Sequence, residues 1–176
     1  MLAYFLKKEI NSNLIELKAH RDFTDFSELM NVVIIYELAD YEQSIELEST
    51  FSSYNCSVKL LGYNADKKRT HKNENGYLFS PKELTILGKP NCRIIAEFNK
   101  LTTNCNLIID ITRGKFLPIN YLLSQKKSVF KVGIEVSEFK LYDFIFQVQK
   151  NVDAKFLCEQ IMFYLRKLKS QRLRLV

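Results

Sequence analysis

The chain has 176 residues, the length of one domain, and its 47% hydrophobic and 26% charged composition excludes a disordered or fibrous polypeptide. A net charge of +6 and a pI near 9.1 favour acidic partners by long-range attraction without requiring nucleic acid. No apolar run approaches the roughly 18 residues that span a bilayer, and MLAYFLKKEI places its lysines after its apolar residues, unlike a signal peptide, so a cytoplasmic location is expected.

Residues 2–21 read as a leading helix, with Leu2, Phe5, Leu6, Ile10, Leu14, Ile15 and Leu17 partly at helical spacing. Asn11, Ser12 and Asn13 are poor interior helix formers, so a break is expected there. The near-continuous apolar run over 31–38 predicts a strand buried on both faces, as in a parallel sheet. Asp40 is the expected N-cap of a helix over 41–54, and 56–63 reads as the next strand, completing a βαβ unit.

From Asn64 to Gly76 the chain turns polar, as a surface loop does, and carries the basic cluster Lys67, Lys68, Arg69, His71 and Lys72. Ser80, Pro81 and Glu83 have the spacing of a helix start, predicting a short helix that ends near Gly88 or Pro90. RIIAEF over 93–98 suits a strand or a helix equally at this length.

The centre of the chain is Asn106–Glu135. Within it 107–111 reads as a buried strand, Thr112-Arg113-Gly114 as a turn, Pro118 to Ser124 as a short helix and 129–134 as another strand. A last strand is expected over 141–148. A long helix should run from an N-cap at Asp153 to about Leu173, burying Phe156, Leu157, Ile161, Leu165 and Leu168. Its other face and end carry Lys155, Arg166, Lys167, Lys169, Arg172 and Arg174, part of which simply suits the helix dipole.

These elements predict one three-layer α/β domain over 1–176, Rossmann-like or flavodoxin-like, with a mostly parallel sheet of about five strands and helices on both faces. Its parts are a leading helical segment (1–30), the sheet with its crossover helices (31–150) and a basic terminal helix (151–176).

In such a sheet, ligands bind beyond the strand carboxyl ends near the point where strand order reverses. Two positions qualify: Glu37 to Asp40, and Asp110 to Lys115. Asp110, Thr112, Arg113 and Lys115 place a carboxylate, a hydroxyl and two cations around Gly114, whose freedom permits a tight turn before a helix amino terminus. That set suits an anion such as phosphate. No GxGxxG, GxxxxGK[ST] or GxSxG occurs, so the common dinucleotide, triphosphate and hydrolase signatures are missing. With two histidines, His20 and His71, and four cysteines without a CxxC pair, the residues single out no catalytic, metal or cofactor set. Cys56, Cys105 and Cys158 lie in or beside apolar runs and are expected to be buried reduced thiols.

FSPKELTILGKP, NLIIDITRG, SVFKVGI and LYDFIFQV together resemble a family of small uncharacterised Bacteroidetes proteins over nearly the whole chain, a resemblance that implies a fold but no activity. NLIIDITRGKFLPINYLLSQKKSVFKVGIE is also similar to a strand–helix–strand in the acceptor-side domain of heptosyltransferase-like glycosyltransferases. Those enzymes need a second Rossmann-like domain for the nucleotide sugar, which 176 residues cannot hold.

The leading expectation is a non-enzymatic binding or scaffold protein whose basic surface (Lys67, Lys68, Arg69, Lys72, Arg166, Lys167, Lys169, Arg172 and Arg174) contacts RNA or a ribonucleoprotein. The alternatives are a small ligand-binding or glycosyltransferase-like domain using the Asp110–Lys115 turn for a phosphorylated or sugar-like compound, and an assembly subunit docking a protein partner through a terminal helix.

Overall fold

A computed structural model describes residues 2–15, 30–66, 76–135, 137–148 and 152–172. Helix α1 (Leu2–Ile15) precedes strand β1 (Asn31–Glu37), helix α2 (Tyr41–Ser53) and strands β2 (Ser57–Tyr63) and β3 (Gly76–Phe79). Helix α3 (Cys92–Leu101), strand β4 (Leu107–Asp110), helix α4 (Leu117–Gln125), strands β5 (Phe130–Ile134) and β6 (Phe144–Phe146) and helix α5 (Ala154–Arg172) follow.

The six strands form one sheet in the order β3-β2-β1-β4-β5-β6, and every neighbouring pair is parallel. Alternation along β1 sends Val32, Ile34 and Tyr36 to one face, under α2 and α5, and Val33 and Ile35 to the other, under α1, α3 and α4. This two-sided burial is why the strand's sequence is apolar without alternation. The core residues are large and closed off, among them Phe51, Phe79 and Phe98. Each such side chain contributes about 2 kcal/mol relative to exposure.

The predicted three-layer α/β architecture is therefore what the chain adopts, with a sixth strand added. That strand, β3, is four residues long and directly follows a polar stretch, too short for a periodic signal. RIIAEF is helical: Asn91 accepts a bond from the Ile94 amide at 3.0 Å, and Ile94 and Phe98, one turn apart, are buried. The centre of the chain folds as β4–α4–β5, and Asn106 ties it to β1 by accepting from the Asn31 amide at 2.8 Å.

Several local expectations need correction. Helix α1 runs unbroken through Asn11, Ser12 and Asn13, because Leu6 and Ile10 anchor it on the sheet side and the Asn13 amide donates to Ser124 of α4 at 3.0 Å. Residues 16–21, the rest of the predicted leading helix, lie outside the described residues. The segment after Ser80 makes a single 3-10 turn, Pro81–Glu83. The Glu83 carboxylate does accept from the Ser80 amide at 2.9 Å, but Leu84 then bridges Pro90 and the chain folds back. Strand β6 is much shorter than 141–148 because Asp143 spends its side chain on the Lys131 amide at 2.8 Å before the ladder begins. Asp40 stands at the N-cap position of α2 as expected, but its side chain makes no capping bond, and a 3-10 turn, Leu38–Asp40, runs straight into the helix. Asp153 does cap α5, accepting from the Phe156 amide at 2.9 Å. Phe156 itself is half exposed; Ala154, Leu157, Cys158, Ile161, Met162 and Leu165 make the buried stripe.

Candidate functional site

Strand order reverses between β1 and β4, since the chain leaves β1 towards β2 and leaves β4 towards β5. The two βα turns separate there and leave a crevice of about 380 Å³ beyond the strand ends. Its lining joins the two positions the sequence singles out. Glu37, Ala39, Asp40 and Gln43 come from the β1–α2 side, Ile111, Arg113 and Lys115 from the β4–α4 turn, and Ile134 and Val152 complete an apolar floor. The volume lies within the range of small-molecule sites.

Cations and carboxylates thus stand on opposing walls. Asp40 lines the crevice, and its side chain makes no capping hydrogen bond to α2. Gln43 donates to the Val152 carbonyl at 3.0 Å and fixes the segment leading into α5 against α2. Arg113 and Glu135, at the ends of β4 and β5, form an ion pair, with the Arg113 side chain largely covered. Both residues have positive φ, 61° and 69°. Neither is glycine or asparagine, so tertiary contacts hold these conformations against their cost.

The predicted anion-binding residues divide by role. Arg113 and Lys115 line the crevice. Gly114, between them, permits the turn: at φ 65° a Cβ there would lie 2.9 Å from that of Ser137. Asp110 and Thr112 are buried beneath the turn. One Asp110 oxygen accepts from the Thr112 amide at 2.8 Å and the other from the Tyr142 hydroxyl at 2.6 Å. Burial raises the Asp110 carboxyl above the ordinary carboxylate range, against these hydrogen bonds. Burial, followed by the Asp110 charge and hydrogen bond, raises Tyr142 strongly. Ile108 and Asp110 share the face opposite Ile109, whereas the crevice floor belongs to the α2–α5 side. Asp110 and Asp40 therefore do not form a carboxylate pair in this crevice.

Sequence reasoning does not single out Gln43, Glu135, Tyr142 or Val152. Glu135 carried a usable signal, since it ends a strand beside β4; Tyr142 carried none, because its role depends on the return path of the 137–143 link.

Of the predicted basic surface, Lys67, Lys68, Arg69, Lys72 and Arg174 lie outside the described residues. Lys169 and Arg172 fall within α5, and Arg166 and Lys167 are exposed on it. The Arg166 guanidinium sits 6.0 Å from the Tyr54 ring centroid and the Lys167 ammonium 4.4 Å from that of Phe163. Among the described residues no group of three or more His, Cys, Asp or Glu side chains is placed to hold a metal, and no helix is long and apolar enough to cross a membrane.

A model of a family of unknown function (DUF6913) matches residues 3–168. No curated protein and no solved structure matches the chain.

Proposed function

The chain belongs to that family of unknown function, and we propose that it is a small-molecule-binding domain whose crevice takes a compact phosphorylated or sugar-like compound. The observation that carries this reading is the convergence of Arg113 and Lys115 with Glu37 and Asp40 at the switch point of a doubly wound sheet. Arg113 and Lys115 receive the anionic group; the opposing carboxylates accept hydrogen bonds from the remainder. A dinucleotide suits the crevice poorly. The Glu37-Leu38-Ala39-Asp40 turn has no glycine to let a pyrophosphate approach the backbone, and it sets carboxylates at the start of α2 where that group would lie.

Inorganic phosphate, glycerol 3-phosphate and glucose 6-phosphate should each raise the melting temperature. Removing a charge-assisted contact by Arg113→Ala or Lys115→Ala should weaken binding by about tenfold to a hundredfold. Unchanged affinity in both variants, checked by calorimetry, would remove the crevice from consideration.

A second reading, contact with RNA, draws on α5. Exposed Phe163 and Tyr164 lie edge to face at 5.5 Å beside Arg166 and Lys167, the interleaving of rings and cations that single-stranded nucleic acid uses. Binding of a labelled single-stranded RNA should then fall steeply between 50 and 200 mM salt, and with it the contribution of Arg166 and Lys167. A fluorescence anisotropy titration insensitive to Arg166→Gln/Lys167→Gln would count against it.

A further inference from the structure

From the charges around the crevice we infer that its ligand is a zwitterion: an anionic group held by Arg113 and Lys115, and an ammonium group held between Glu37 and Asp40. This deepens the anion-binding reading above and rests on it. The lining carries two formal positive charges, Arg113 and Lys115, and two negative ones, Glu37 and Asp40. The signs are segregated by strand, carboxylates at the end of β1 and cations in the turn after β4.

A phosphate bound alone would leave this lining with an excess of negative charge, the more so because Glu135 already pairs with Arg113. An ammonium set towards Glu37 and Asp40 offsets part of that excess, and the apolar side chains of Ala39, Ile111, Ile134 and Val152 suit the short aliphatic stretch joining the two groups. Amino acids and phosphorylated amino alcohols have this chemistry; polyol phosphates have the anion without the cation.

Phosphoethanolamine and glycerol 3-phosphate separate these cases, being of similar size and sharing the phosphate. Calorimetry on the full chain at neutral pH should show phosphoethanolamine binding about tenfold tighter, the worth of one partly exposed charge contact. In the Glu37→Gln/Asp40→Asn double variant that preference should vanish. Equal affinity of the two compounds for the wild-type protein would overturn the zwitterion and leave the anion site standing. A preference that survives the double variant would overturn the assignment of Glu37 and Asp40. If neither compound nor inorganic phosphate binds the wild-type chain, the anion reading falls and takes this one with it.

Discussion

A carboxylate buried at the end of a central strand costs several kcal/mol unless donors surround it, and Asp110 has the Thr112 amide on one oxygen and the Tyr142 hydroxyl on the other. The first bond shapes the turn that carries Arg113 and Lys115; the second draws the 137–143 link over β5. Gly133 makes room for this, since a Cβ there would lie 2.5 Å from the Tyr142 ring. Tyr142→Phe should therefore destabilise the protein by about 2 kcal/mol, the cost of leaving a buried carboxylate oxygen without its donor, read as a lower urea midpoint at neutral pH. The pH dependence follows from the direction of the shift. Tyr142 has a folded pKa above its unfolded value near 10. Its contribution is whole below about pH 10 and is lost as pH rises beyond it, because only the unfolded chain then releases the proton. Wild type should lose stability between pH 9.5 and 11 more steeply than Tyr142→Phe, and parallel profiles would refute the assignment. The thiols give a second residue-scale test. Burial raises Cys56, pushes Cys105 up to about 11 and Cys158 to about 12, whereas Cys92 is exposed at the start of α3. At pH 8 a thiol reagent should modify Cys92 rapidly in the folded protein, the half-buried Cys105 slowly, and Cys56 and Cys158 only on unfolding; mass spectrometry of the labelled peptides decides it.

Elements succeeded or failed as sequence signals according to where their partners lie. Strand β1, α2 and the centre β4–α4–β5 were legible because their apolar pattern and length are local properties. The start of α5 was legible too, through Asp153, whose replacement by Ala should cost about 1 kcal/mol of stability in a denaturant titration. A cost near zero would mean that the packing of α5 on α2 alone fixes its start. Asp40 was legible in position only: it stands where a cap stands, but the chain enters α2 through a 3-10 turn, its side chain makes no capping bond, and the residue lines the crevice. Phe156 misled because helical spacing identifies a stripe and not its exact centre, and Cys158 and Met162 proved to lie on the inward side. The site was half legible. Both turns could be named from the strand-end rule, but their meeting in one crevice required the strand order, which no local pattern encodes.

At the scale of the whole molecule, the sheet's order sets a gradient of stability that the crevice exploits. Strands β1 and β4 lie at the centre with both faces covered, and β1 is paired by β2 from Asn31 to Glu37 on one side and by β4 from Val32 to Ile35 on the other. Strands β3 and β6 are the edges, of four and three residues, and β6 has Ile145 partly exposed. Opening an edge strand uncovers little apolar surface, whereas opening β1 requires both core clusters to come apart. Native-state hydrogen exchange should therefore find the amides of 32–36 and 107–110 exchanging only through global unfolding, and those of 144–146 at lower free energy. The crevice is built on the ends of the two most protected strands, so a bound ligand meets preorganised walls on the β1 and β4 sides. The 137–143 link packs on the opposite face, held by Tyr142 and by the contact of Ser137 with the Gly114 turn, and lines no part of the crevice. Ligand binding should slow exchange most in the two turns that line the crevice, 37–43 and 111–115, and least in 32–36, where the unliganded rate already reflects global unfolding. Uniform slowing across all six strands would show instead that the sheet opens as a single unit and that its edges have no separate stability.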